Sequence, residues 1–437
     1  MEKNKISIWA AIAININVIV GSAFFLGAPE ICNKGGMLAP LTWVMWGFII
    51  CPIVLVLAKL SKFYTNAGGI YTYAQKELGS FWSFLSGWGY FIGTIAGNAI
   101  IIHKFGEGVG FLGLTPILNK LGISGLPFDI ILIALFTSLN LLNVNFIEKA
   151  NLAFALVKII PLAFVVISSL FLFRTGNVTA APINFTGFFE TIPLVIFAYI
   201  GFEVCCSIAH QIKDGKKNAS RAILFSFGII MLIYTIVQLC FLGIHGTVTI
   251  NPFLEILPKL TSNNILIGIG NRIIEATIMS SFLGGFYGAF YTNNWILYAI
   301  AKNKELPFHQ KLIKLNKHKV PSMSIFSQSI LTIIFLFITQ NAYSLISMSD
   351  FAIIISYFLS VIAFLAIYLK NQTSQNKFQN ISIGIIASFS CFYLLFYCTK
   401  ELIRSNHILS FLIIITVGIL LNQVSNIKRK KLNTPLT

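Results

Sequence analysis

Apolar windows of about 20 residues, each long enough to cross a bilayer as a helix, follow one another along almost the whole chain. Twelve are found, near 7–31, 38–58, 80–102, 127–145, 151–173, 189–210, 220–243, 265–301, 322–339, 345–369, 379–399 and 406–424. Only 10% of the 437 residues are charged and mean hydropathy is +0.82, against roughly 25% charged in soluble domains. In hydrocarbon each segment must satisfy its own backbone, so the windows predict an all-α membrane protein of about twelve transmembrane helices. The first run is too long for a cleaved secretory signal and is read as a retained span. No linker or low-complexity tract marks a second domain, so 1–437 is read as a single transmembrane domain.

The net charge of +17 does not point to nucleic acid, because no basic run interleaved with aromatics forms a folded basic face. The positive residues fall in short loops. With the N-terminus inside, 22 of the 31 Lys and Arg lie in inside segments, eight lie outside, and Lys158 lies within a window. That asymmetry predicts a multi-pass protein of the cytoplasmic (inner) membrane with both termini cytoplasmic. The densest inside stretch, Lys302 to Lys319, is expected to form an amphipathic connector. The seven cysteines lie almost entirely in apolar segments without metal-ligand spacing, so no disulfide framework, metal or cofactor is expected.

Residues 14–31 depart from a plain anchor. Their middle carries Asn15, Asn17, the triplet Gly21-Ser22-Ala23 and an exit with Gly27 and Pro29. Backbone freed at membrane depth is tolerated only where it faces protein, a cavity or a ligand, so a broken helix binding something polar is expected here. Window six repeats the pattern in Phe197-Ala198-Tyr199-Ile200-Gly201-Phe202-Glu203. Windows one and six each open a set of five, and five is odd, so the sets enter from opposite sides. Paired interrupted helices at corresponding positions point to an inverted-repeat transporter, with repeats at 7–173 and 189–370 and two further helices at 379–424.

Other polar residues sit in apolar helices. Tyr90, Gly93, Thr94, Gly97 and Asn98 share one face of window three, either as a close-packing stripe or as a cavity wall. Glu203 is a carboxyl group well inside window six, functional by default at such a depth. Lys158 lies too deep to snorkel easily. It could exchange a proton, stand as a fixed cation in place of a metal ion, or pair structurally with Glu203. Window eight carries Ser281, Gly284, Gly285, Gly288 and Thr292, with Phe286 and Phe290 on a neighbouring face, and window ten carries Ser356, Tyr357 and Ser360. Gly108-Val-Gly110-Phe-Leu-Gly113 matches a dinucleotide fingerprint but follows a membrane helix instead of a strand. The scattered histidines form no hydrolytic or metal motif, so an enzyme is not expected.

With these residues in view, the chain resembles the amino acid–polyamine–organocation transporters, especially the basic amino acid/polyamine antiporter branch. The likeness is carried by Val20 to Leu26, Lys34-Gly35-Gly36, Ala58 to Ser61, Ala67 to Ala74, Phe197 to Glu203, Ala301 to Pro307 and Val320-Pro321. It implies a five-plus-five inverted repeat with discontinuous helices one and six, two extra C-terminal helices, and an amino acid bound near the midplane. The backbone of Gly21, Ser22 and Ala23 would take the substrate carboxylate, as free N–H groups at a helix start favour. Carbonyls near Ile19, Phe197 and Ile200 would face the ammonium group. Asn98 matches the position that reads the side-chain end in arginine/agmatine antiporters, and Tyr90, Phe197 and Glu203 match gate positions. Thr94 and Ser356 are further lining candidates.

Three positions depart from that pattern: Ala23 replaces a preferred glycine, Phe197 a tryptophan, and Ala289 a stacking tryptophan for which Phe286 or Phe290 would substitute. Lys158 is similar to the embedded lysine of proton-coupled members. The resulting expectation is a secondary transporter of amino acids, first a cationic one such as arginine. Proton-coupled uptake of a neutral amino acid through Lys158 is the runner-up. Membrane lipid is the other expected partner, with a homodimer allowed. A non-transporting sensor on the same scaffold is the rival from another class, disfavoured by short tails without a signalling domain.

Overall fold

A computed structural model describes residues 5–109, 113, 115–247, 252–370, 376–405 and 407–433. Part of the glycine-rich match, residues 110–112, lies outside them. Among the described residues the chain is helical apart from isolated bridges. Eight helices are long and apolar enough to cross a membrane; a bent pair makes a ninth, and three shorter apolar helices coincide with windows four, nine and twelve. The outer belt leaves Leu170, Phe171, Phe389 and Phe396 exposed, as a lipid-facing surface does and a soluble one does not. The protein is thus an all-α, multi-pass membrane protein.

Counting helices of eight residues or more, the first span consists of α1 (Ile8–Ile19) and α2 (Ser22–Gly35), whose axes bend by 48°. Ser7 caps α1 by accepting from the Ala10 N–H at 3.2 Å. Next come α3 (Ala39–Phe63), the short α4 (Gly69–Glu77), α5 (Ser80–Gly108) and α6 (Leu126–Asn140). The fifth span is α7 (Val144–Val157) followed by α8 (Ile159–Leu172), interrupted at Lys158. Pro161 explains the interruption, since it lacks the N–H that would bond the Val157 carbonyl. The sixth span holds α9 (Ile192–Tyr199) and then a 3₁₀ turn over Val204–Cys206. The remaining helices are α10 (Gly215–His245), α11 (Asn264–Lys302), α12 (Ser322–Ile338), α13 (Ala342–Lys370), α14 (Lys377–Arg404) and α15 (Ile408–Asn433).

At 1.5 Å per residue α11 is about 58 Å long and projects beyond a bilayer. The basic connector after it is not one amphipathic helix: it holds only the four-residue turn His309–Leu312. Pro307 and the left-handed backbone at Lys304, Phe308 and Lys319 break it up.

The core is organised on α5, buried along nearly its whole apolar length and packed between α11 and α13. Gly93 and Gly97 make that approach close, since a side-chain carbon there would stand 2.8 Å from Ile353 and 3.1 Å from the Ser349 hydroxyl. The small-residue stripe of α11 serves the first-span interruption instead. A carbon added at Gly285 would lie 3.0 Å from the Gly21 Cα, and one at Gly284 would lie 2.6 Å from the Asn17 side chain. Replacing Gly285 by Val should therefore destabilise the protein by about 1–3 kcal/mol through overpacking. A thermal unfolding series in detergent that left Gly285→Val at the wild-type midpoint would refute this packing role.

Candidate functional site

The helix ends at Ile19 because Val20 and Gly21 leave helical geometry, and α2 restarts at Ser22 with no side chain capping its N-terminus. The freed carbonyls are taken up by side chains from three other spans. Lys158 donates its ammonium hydrogens to the Asn17 carbonyl (2.7 Å) and the Val20 carbonyl (2.6 Å), and Ser281 also donates to Val20 (2.8 Å). The Tyr234 hydroxyl donates to the Ile19 carbonyl at 3.0 Å. Lys158, only 1% exposed, thus serves main-chain oxygens, and no Lys158–Glu203 ion pair forms among the described residues. The start of α2 presents the opposite polarity, uncapped N–H groups beside a buried Ser22 hydroxyl that has no partner.

The sixth-span interruption needs Gly201, whose φ of +118° is a conformation other residues rarely adopt. Glu203 seals it: one carboxylate oxygen accepts from the Gly201 N–H at 3.1 Å, the other from the Tyr90 hydroxyl at 2.8 Å. The Tyr357 phenol lies beside the same carboxylate. Asn15, noticed in the sequence only as a polar residue in an apolar run, ties the two interruptions together. Its amide donates to the Phe202 carbonyl (2.5 Å) and accepts from the Cys205 N–H (3.1 Å).

Between these interruptions and α5 lies a small cavity of about 40 Å³. Of the residues singled out in the sequence, Ile19, Gly21, Ser22 and Ala23 line it from the first span. Tyr90, Thr94 and Asn98 line it from α5, and Phe197 and Ile200 from the sixth. Lys158 and Glu203 stand behind the wall, holding its backbone. Ser356 bonds back to the Ala352 carbonyl within α13 and does not reach the cavity. Phe286 and Phe290 do not reach it either; Phe286 packs edge-on against Phe136 (ring centroids 5.3 Å) and Phe290 against Phe286 (5.1 Å). Ala289, on the face between them, does line it, and so does Ser349 of α13, which sequence reasoning missed. Among the lining residues none is charged, whereas the Ser22 hydroxyl and the Asn98 side-chain nitrogen are buried without partners. Unpaired polar groups facing an enclosed space are what a polar ligand completes.

Toward one end of this cavity lie two further recesses. Ala23 and Phe197 are shared with a recess that also includes Glu30, Lys104 and Tyr343, and Glu30 and Tyr343 are shared in turn with a wide vestibule reaching Glu401 and Arg404. The other end is closed. There the Ile6 N–H donates to the Gln211 carbonyl (2.8 Å), the Gly68 N–H to the Ser207 carbonyl (3.2 Å), and Tyr291 to the Gln211 side chain. His210 fills that seal edge-on to Trp295, ring centroids 4.6 Å apart.

Removing the Asn15 amide leaves the Phe202 carbonyl and the Cys205 N–H buried and unpaired. Asn15→Leu should therefore lower stability by about 1–3 kcal/mol per orphaned group, read as a fall in detergent melting temperature. A wild-type melt would show that Asn15 does not hold the two interruptions together.

The chain matches the family model described as "Amino acid permease" over residues 6–421. It is 25% identical over 397 residues to the serine/threonine exchanger SteT of Bacillus subtilis, covering 88% of this chain and 87% of that protein. It is 26% identical over 419 residues to the aspartate-proton symporter of the same organism, covering 90% and 78%. To the arginine/ornithine antiporter ArcD2 of Lactococcus lactis it is 25% identical over 419 residues, covering 86% and 82%. Two interrupted spans around a shared cavity, and a family match over nearly the full length, lead to one conclusion: the chain belongs to the amino acid permease family, whose members are transporters and not enzymes.

Proposed function

We infer that this protein carries small, neutral, polar amino acids across the cytoplasmic membrane, with serine and threonine as the leading substrates. The observation that supports this is the cavity wall, where two unpartnered polar groups, Ser22 and Asn98, face a space without a charged side chain. The uncapped start of α2 and the Ser22 hydroxyl would receive the carboxylate, and the free carbonyl lone pairs near Phe197 and Ile200 the ammonium group. Asn98, opposite, would read a hydroxyl or amide on the substrate side chain. Related proteins include a serine/threonine exchanger and an arginine/ornithine antiporter, so relatedness alone leaves the substrate class open. A guanidinium or ammonium side chain would enter with no carboxylate to meet it, since Glu203 is held by Tyr90 and Gly201.

Transport would proceed by rocking of one helix bundle against the rest, with the two five-helix sets 7–173 and 189–370 as the repeats. The open vestibule would face outward and the Ile6–Gln211 seal inward, both termini being cytoplasmic. Phe197, between cavity and recess, would be the outer gate, and the Tyr90–Glu203 bond the start of the inner one.

Counterflow of labelled serine in proteoliposomes tests the substrate. Unlabelled serine or threonine should compete at least about tenfold better than arginine, the discrimination expected when a charge must be buried unpaired. Arginine or lysine as the best competitor would overturn the neutral reading in favour of the cationic one. Ser22→Ala and Asn98→Ala should each raise KM about tenfold, as for loss of one hydrogen bond to a charged or fully buried partner. Unchanged KM in both would remove them from the binding site.

A further inference from the structure

Asp350 is a further carboxyl group within a membrane window and, unlike Glu203, Asp129 and Glu305, it is built into nothing. Glu203 has Tyr90 and Gly201, Asp129 has His103 at 2.9 Å, and Glu305 accepts from Ser80 at 2.8 Å. Asp350 is 0% exposed, and among the described residues neither of its oxygens has a hydrogen-bond partner. It stands nine residues into α13, about 12 Å along the helix at 1.5 Å per residue. An ionised carboxylate cannot rest there unpaired, because the dry interior supplies neither counter-charge nor donors.

Its position in α13 links the two ends of the outer pathway. Ile346 and Ser347, one turn earlier, line the vestibule, while Ser349 and Ile353 line the cavity. The acid thus lies behind the stretch of wall that separates aqueous entry from the candidate substrate site. From α14 the thiol of Cys398 is its titratable neighbour, with Glu401 one turn further along and lining the vestibule. The helices α3, α4, α5 and α9 also pack against α13, and among the described residues they set no charged group against the carboxyl.

We propose that Asp350 is a proton-binding site coupled to transport, loaded from the vestibule and carried neutral in the outward-open state. The step is a simple protonation: the carboxylate takes one proton from vestibule water, the O–H bond persists while the helix is sealed, and the proton leaves to water on the other side when rocking rewets α13. This rests on the transport reading above and adds to it the coupling ion and the residue that carries it.

Proteoliposomes with serine, or the best competitor from the panel, separate the two. A pH gradient, acid on the vestibule side, should drive at least tenfold accumulation by the wild type and acidify a lumenal pH dye. D350N should keep counterflow, which needs no net proton movement, and lose the gradient-driven accumulation and the dye signal. Accumulation by D350N within twofold of wild type would overturn the proposal, as would wild-type accumulation indifferent to the gradient with counterflow intact, which leaves the transport reading standing. No movement of any amino acid by the wild type would sink the transport reading and this proposal together. If D350N loses counterflow as well, D350E decides: a displaced pH midpoint of counterflow supports the proposal, and a profile superimposable on wild type overturns it.

Discussion

The bond from the Lys158 ammonium to two main-chain oxygens of the first span is the contact on which the architecture of the site depends. A helix cannot be opened in hydrocarbon unless something replaces the hydrogen bonds it loses. Here the Lys158 amino group, delivered from the fifth span, replaces them on the carbonyl side, helped by Ser281 and Tyr234. Both ends of these bonds are shielded from water. The carbonyl side of the opening is therefore occupied by protein, whereas no side chain caps the N–H side.

The sixth span solves the same problem with the opposite charge. Glu203 bonds the Gly201 N–H and thereby takes up backbone that the interruption exposes, while its second oxygen reaches across to α5. The two ionisable residues that could have paired with each other serve the two interruptions separately. In each case a buried charge is compensated by peptide groups and hydroxyls, which costs less than leaving it bare in a dry interior.

Much of this was legible in the chain because bilayers impose a length and a polarity on every span. The twelve windows all contain helix, and the two interruptions fall at Gly21 and Gly201, where glycine followed or preceded by polar residues had marked them. The wall residues on α5 followed from one helical face, since period fixes which side chains share a direction. Long-range partners were not legible. Nothing local says that Lys158 meets Val20, that Asn15 reaches Cys205, or that the glycines of α11 accommodate Gly21, because each contact joins segments more than a hundred residues apart. Phe286 and Phe290 were placed near the substrate by register with related chains, but the α11 face that meets the cavity carries Ala289. Asp350 left a signal that went unused, a lone acid in an apolar run, obscured by lying near the start of its window.

The contact between the two interruptions has a mechanical corollary. Gly201 sits so close to Val18 and the Ile19 nitrogen that a single carbon placed on it would stand 2.7 Å from the Val18 side chain. With Asn15 bonded just beyond that point, the first half of the first span and the unwound part of the sixth are fastened like the two leaves of one hinge. Fastened so, the two leaves would swing together. Simultaneous release of cargo by both would then be a matter of shared geometry, requiring no signal relayed from one helix to the other.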